Sequence, residues 1–280
     1  MLVEALLLGG AYNPTITLNA TAGVYARTLA AAAATECAPT TRVLGFSGWA
    51  MNEVVVRGVG QLDALLFEQP EFAALPEDVR AHVRSESIRL AKLGGCVERI
   101  QGEKSSRSPI DCTADAPVLG PDDPHKVHYD PANDDGGCFE TKQRENNCYN
   151  YGNDVLTNTF AQPGRGSGVC SHSSRPCVPN TCEDVRSAAE SDGLVWAGTT
   201  LPTVLPPSGH YVSLHIWPRS NFHWIRMDAN MTWSHKPGGS PVRDRDNNGK
   251  VITDPGAADF SPWTKHCGYM RTLPSNVTLY

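Results

Sequence analysis

The chain lacks a long apolar run, an excess of basic residues and closely spaced cysteine pairs, and each absence excludes a class of protein. No apolar run approaches the roughly 20 residues of a membrane-spanning helix. Acidic residues outnumber basic ones by 30 to 24, so the chain has no overall positive charge for binding nucleic acid or anionic membranes. None of the nine cysteines belongs to a CxxC pair at zinc spacing. We therefore expect neither a nucleic-acid partner nor a membrane span.

What the chain does contain points to an oxidising compartment. Most of its nine cysteines stand beside Pro, Gly, Ser or Asp, in turn-like sequence that is typical of disulfides between loops. Acceptor tripeptides for N-glycosylation begin at Asn19, Asn230 and Asn276. The apolar start of the chain is interrupted by Glu4 and lacks the basic segment of a signal peptide, so we expect folded protein or a mature N-terminus there and not an intact signal peptide. These features favour a secreted, extracellular protein, and the odd number of cysteines leaves one thiol over.

The order of the predicted elements indicates an α+β fold with two regions. Residues 1–105 are helix-leaning. Residues 106–280 begin with a polar, turn-rich stretch that we expect to be crosslinked by disulfides, and a helix is predicted from Cys148 to residue 161. A cysteine-rich loop and a second short helix follow. From Gly209 onward, short aromatic and β-branched segments predict an antiparallel sheet.

One cysteine and two histidines stand where a thiol nucleophile would need them. Cys148 begins the predicted helix in "NNCYNYGNDV", and a helix N-terminus is one means of lowering the pKa of a thiol. His223 opens the segment "HWIRMDANMTWSH" and His235 closes it twelve residues later, so a hairpin would bring both imidazoles to one end. His210, on the preceding strand, is the alternative base. His215 alternates differently along that strand, and we predict a structural role for it.

A cysteine at a helix start, followed by strands that carry two histidines at this spacing, resembles the NlpC-type papain-like cysteine peptidases. The resemblance covers roughly residues 143–236, and the CHAP amidases are a second match. It implies a papain-like helix and antiparallel sheet, with Cys148 as nucleophile, His223 as general base and His235 as the orienting group. It also implies that the Gln143 amide and the backbone N–H of Cys148 stabilise the oxyanion.

Two classes of function follow. The first is a secreted cysteine-dependent amidase or peptidase that acts through a thioester on Cys148 and requires no cofactor. The resemblance implies an extracellular peptide or amide as its substrate, such as cell-wall peptide. An acyltransferase or transglutaminase would use the same residues and differ in the group that attacks the thioester. The second class is a non-enzymatic extracellular matrix, filament or adhesive protein, in which Cys148 is disulfide-bonded and copies of the chain assemble.

The segment "DRDNNGKVITD" has two interpretations. Asp244, Asp246 and Asn248 occupy the first, third and fifth positions of a calcium-binding loop. Asp254 stands one residue before the position of the bidentate glutamate in such loops. The same residues also describe a β-hairpin with Asn248-Gly249 at its tip. Calcium is therefore a ligand that the sequence allows and does not require.

Overall fold

The computed structural model describes residues 1–5, 15–32, 48–51, 54–99, 139, 142–174 and 176–280. The chain divides into two compact units, Met1–Leu8 with Asn13–Lys104 and Gly9–Tyr12 with Ser105–Tyr280. Each unit combines helices with an antiparallel sheet, so the α+β prediction is confirmed at that level. The predicted boundary between residues 105 and 106, and the polar stretch up to residue 138, lie outside the described residues. In the described ranges, no helix is both long and apolar enough to cross a membrane.

The first unit contains a five-stranded antiparallel sheet as well as the predicted helices. Its strands are β1 (Leu2–Ala5), β2 (Thr15–Thr17), β3 (Trp49–Met51), β4 (Val54–Arg57) and β5 (Cys96–Arg99), in the order β2-β1-β3-β4-β5. Its helices are α1 (Ala20–Ala32), α2 (Gly60–Phe67), α3 (Pro70–Ala73) and α4 (Glu77–Lys92). The helix-leaning prediction was therefore incomplete. Strands of three or four residues are too short to show the alternation of polar and apolar residues by which strands are recognised.

The second unit has the predicted order of helices followed by strands. Its elements are α5 (Cys148–Asn153), α6 (Cys182–Ser191), β6 (Val195–Gly198), β7 (His210–Trp217), β8 (Asn221–Met227), β9 (Trp233–His235) and β10 (Lys265–Thr272). The sheet is antiparallel, in the order β6-β10-β7-β8-β9. Helix α5 is shorter than predicted, because Asp154 ends it in a left-handed conformation with a φ of 57°.

The two faces of this second sheet pack different side chains. Residues of α5 and α6 share one core with alternate residues of β7 and β8, among them Leu214 and Trp224. The intervening residues, His215 and His223, contact Phe260 on the other face. All seven residues of β8 are buried. Successive side chains of that strand therefore belong to two separate cores, as the period of two in a β-strand requires.

Candidate functional site

Asparagine side chains organise the start of α5. The side-chain oxygen of Asn147 accepts hydrogen bonds from the backbone N–H groups of Tyr149 and Asn150, at 2.9 and 3.1 Å. The side chain of Asn150 accepts in return from the backbone N–H of Asn147 at 3.1 Å, which completes a capping box. The amide of Asn150 also donates to the Thr157 hydroxyl at 2.8 Å. The asparagine-rich sequence thus caps the helix and holds the loop that follows it.

Cys148 begins α5, as predicted, and its thiol is free and wholly buried. Burial raises the pKa of this thiol to about 12, because the ionised sulfur would lose its hydration. A hydrogen bond from the backbone of Trp224 and the positive charge of Lys236 each lower the pKa of the thiol, but by less than burial raises it. The backbone N–H groups of Cys148 and Tyr149 at the helix start act to lower this pKa, as expected, but the net pKa is raised. Desolvation outweighs the favourable interaction with the end of a six-residue helix.

Lys236, which the sequence analysis missed, lies close enough to Cys148 for the two charges to interact. Its side chain is wholly buried, and its Nζ donates to the backbone carbonyl oxygens of Gln143 and Asn146 at 2.5 Å and of Gly238 at 2.7 Å. Burial lowers the pKa of Lys236 to about 7. These bonds tie the segment before α5 to the segment after β9. The sequence feature that could have drawn attention to Lys236 is its position directly after the last residue of the strand, in "SHKPGG".

The hairpin brings His223 and His235 together, as predicted. Nε2 of His223 lies 2.7 Å from Nδ1 of His235, and Nε2 of His235 lies 3.0 Å from the carbonyl oxygen of Arg245. Nδ1 of His223 is buried without a hydrogen-bond partner. The four ring nitrogens are thus accounted for, and none of them is bonded to the sulfur of Cys148.

The sheet itself separates the thiol from these imidazoles. Cys148 packs in one core with Phe222 and Trp224. His223 lies between those two residues in β8, and its ring contacts Trp263 on the other face, at 5.4 Å between ring centroids. Neighbouring side chains of a strand point to opposite faces. The structure therefore joins the two histidines of the predicted triad and does not bring Cys148 to them.

The other two residues proposed for catalysis bond elsewhere. The side-chain amide of Gln143 donates to the carbonyl oxygen of Gly239 at 3.1 Å, on the loop after β9. Nε2 of His210 lies 2.6 Å from the carbonyl oxygen of Gly152. Gly152 is near the C-terminal end of α5, whereas Cys148 begins that helix. Neither contact orients a side chain toward the thiol.

Four histidines form a cluster on the face opposite α5, in which His215, His223 and His235 are buried and His266 is half-buried. His215 lies directly across from His223 in one strand pair and from His266 in the other, on the face opposite to that of His210, from which it was expected to alternate. Phe260 lies among them, with its centroid 4.9 Å from that of His215 and 5.2 Å from that of His235. Burial lowers the pKa of His215 and His235 to about 3, and that of His223 and His266 below its usual value. We call these four residues the histidine cluster. At neutral pH the rings of His215 and His235 are uncharged.

The acidic segment predicted as a calcium loop forms a hairpin turn. One carboxylate oxygen of Asp246 accepts hydrogen bonds from the backbone N–H groups of Asn248 and Lys250, both at 2.9 Å. Asp244 lies 3.6 Å from the guanidinium of the neighbouring arginine, and Asp254 accepts from a backbone N–H of its own turn at 2.8 Å. Within the described ranges, no group of three or more His, Cys, Asp or Glu residues has the arrangement of a metal site. These contacts favour the hairpin interpretation.

Disulfides crosslink the second unit. One joins Cys170 to Cys177 within the loop before α6. Another joins Cys182, the first residue of α6, to Cys267 in β10, across 85 residues of sequence. Cys96, at the start of β5, is also disulfide-bonded. The prediction of disulfide crosslinks is therefore confirmed.

The three glycosylation acceptors are accessible. Asn19, Asn230 and Asn276 are all exposed. The side-chain oxygen of Asn230 accepts from both the backbone N–H and the hydroxyl of Thr232, at 3.0 and 2.7 Å. Glycans on these residues would extend into solvent, and their presence stays a prediction.

A curated protein similar to this chain is insoluble matrix shell protein 1 from Ruditapes philippinarum. The two sequences are 39% identical over 132 residues, which make up 47% of this chain and 82% of the relative. No protein-family model matches the chain. No solved structure matches it either. The similarity thus spans most of the shell protein and about half of this chain.

Proposed function

The chain belongs to the family of insoluble matrix shell protein 1, and on that premise we propose that it is a non-enzymatic structural protein of an extracellular matrix. In this role the protein is secreted, holds its fold with disulfides and associates with other matrix molecules, including its own copies, into a water-insoluble framework. The relationship to the shell protein is the observation that carries this proposal.

The covalent crosslinks support a structural role in an oxidising compartment. The disulfide between Cys182 and Cys267 joins α6 to β10, a strand of the second sheet. Such bonds persist outside the cell, and they restrict the unfolded chain. The exposed positions of the three glycosylation acceptors leave room for glycans without disturbing either core.

The burial of Cys148 also supports a structural role, although its thiol is free and the expectation that a structural protein would have it disulfide-bonded is wrong. Catalysis by a cysteine amidase or peptidase requires a thiolate next to an imidazole. Here the thiol is wholly buried, its pKa is raised to about 12, and the sheet separates it from the pair of His223 and His235. An acyltransferase or transglutaminase would need the same thioester, so the same geometry counts against it. The papain-like fold stays a prediction from the sequence resemblance.

Alkylation of the native protein tests the proposal. The oxidised, unreduced chain is treated with iodoacetamide near neutral pH, with and without guanidinium, and the modified peptides are mapped by mass spectrometry. We expect Cys148 to remain unmodified in the folded protein and to be fully modified in denaturant, because the reagent reacts with an accessible thiolate.

A Ser191→Cys variant serves as the matched control, since Ser191 is exposed at the end of α6. Its added thiol should react in the folded protein, which shows that the reagent is active under the conditions used. Rapid, stoichiometric modification of Cys148 in the folded wild-type protein would instead identify a reactive nucleophile and would contradict the proposed structural role.

A further inference from the structure

Strand β6 is an open edge of the second sheet. It pairs with β10 on one side, through Trp196 opposite Met270 and Val195 opposite Arg271. On its other side, no element in the described part of the chain forms a backbone hydrogen bond with it. Strand β9, at the opposite edge, is covered, because Trp233 and His235 form bridges to the hairpin that follows. Among the residues that the structure describes, one edge of this sheet is therefore closed and the other is open.

The sequence of β6 lacks two of the usual protections of an edge strand, charged residues and proline, although the strand is only four residues long. Natural sheet edges are commonly shielded by charged residues or proline, which prevent pairing with another chain. The stretch from Leu194 to Leu201, "LVWAGTTL", contains no charged residue and no proline. Val195 is 51% exposed, and Ala197 is also exposed on the same face. An uncharged strand with exposed apolar residues and free backbone groups is suited to accept another strand.

The neighbouring structure holds this strand in position. The ring of Trp196 packs against the core that contains α5 and α6, and the guanidinium of Arg186 lies 4.9 Å from the centroid of that ring. The disulfide between Cys182 and Cys267 ties α6 to β10, the strand that pairs with β6. Because the edge is ordered before any partner arrives, pairing costs less conformational entropy than ordering a flexible segment would.

We infer that β6 pairs antiparallel with β6 of a second copy of the chain, so that two five-stranded sheets form one continuous sheet. An axis of twofold symmetry perpendicular to the sheet, at Trp196, places the Trp196 residues of the two copies opposite each other, with each ring extending over its own β10. It places Val195 of each copy opposite Ala197 of the other on the open face. This inference deepens the proposed matrix function, on which the choice of a second copy as partner rests.

The charge pattern favours a second copy as the occupant. In a twofold pairing each strand meets its own sequence, so any charged residue in β6 would lie near the same charge on the partner, and like charges across a strand pair are destabilising. The absence of charge from "LVWAGTTL" removes that repulsion.

The inference is tested with two valine variants of the full oxidised chain. Val195→Lys adds a charge to the edge, and Val204→Lys makes the same change at a residue that is 67% exposed in the loop after β6. Light scattering over a range of protein concentrations measures self-association. We expect Val204→Lys to associate as the wild type does and Val195→Lys to weaken association by about tenfold or more, because pairing would bring a lysine of each copy to the shared edge.

A second edge variant, Ala197→Lys, keeps the test decisive if Val195→Lys fails to fold, as judged by circular dichroism and melting temperature. Association of both edge variants at the wild-type strength would overturn the pairing and leave the matrix function intact. A wild-type chain that stays monomeric at every concentration would also overturn the pairing. Rapid alkylation of Cys148, in the experiment described above, would overturn the matrix function and not the pairing.

Discussion

The histidine cluster makes the second unit sensitive to acid. Burial lowers the pKa of His215 and His235 to about 3, below the ordinary imidazole value of 6.5. Between these two pH values the unfolded chain binds protons at positions where the folded chain does not. The free energy of unfolding therefore falls as the pH falls from 6.5 toward 3, and the full stability is present above pH 6.5.

The size of this effect follows from the two values. Each such histidine contributes a slope of about 1.4 kcal/mol per pH unit, so His215 and His235 together remove about 5 kcal/mol between roughly pH 6.5 and 4.5. That amount is at the lower end of the total stability of a domain, about 5–15 kcal/mol. His223 acts with the same sign, because its pKa is also lowered. Asp192 acts in the opposite direction, because burial raises the pKa of its carboxyl group.

Urea unfolding at pH 7, 6 and 5, followed by tryptophan fluorescence, measures the slope. Trp263 packs against His223 and so reports on the histidine cluster. His215→Phe keeps a ring beside Phe260 and removes the titrating group, and it should reduce the loss of unfolding free energy between pH 7 and pH 5 by about 2 kcal/mol. His172→Phe, the same substitution at an exposed histidine, is the control for the effect of the added phenylalanine ring on stability at pH 7. A free energy of unfolding that is equal at pH 7 and pH 5 would refute the reasoning.

Two further predictions concern the covalent and backbone constraints of the second unit. Replacing Cys182 and Cys267 by serine should lower the free energy of unfolding by about 4–5 kcal/mol, whereas replacing Cys170 and Cys177 by serine should lower it by about 2 kcal/mol. The difference is expected because loop-closure entropy grows with loop length. Equal losses in urea unfolding would contradict this prediction. Gly166→Ala places a Cβ 2.1 Å from the carbonyl oxygen of Thr278, so the C-terminal segment must shift. We expect this variant to have a lower melting temperature than the wild type, and an unchanged melting temperature would contradict the close approach.

Local sequence determined much of the order of elements. The helix start at Cys148, the aromatic strands after Gly209 and the hairpin that joins His223 to His235 all follow from capping residues and β-branched or aromatic runs. The odd number of cysteines indicated one free thiol, and the structure has a free thiol at Cys148. Each of these features depends on residues that are near one another along the chain.

Tertiary structure decided what those residues do. Whether Cys148 could meet His223 depended on which face of β8 the helix covers, and the sequence carries no sign of that choice. A strand with one exposed face shows alternating polarity, but all seven residues of β8 are buried and both faces need side chains that pack. The burial that raises the pKa of the thiol likewise comes from segments distant in sequence. The spacing of a cysteine and two histidines placed them on neighbouring elements, and packing set them on opposite sides of the sheet.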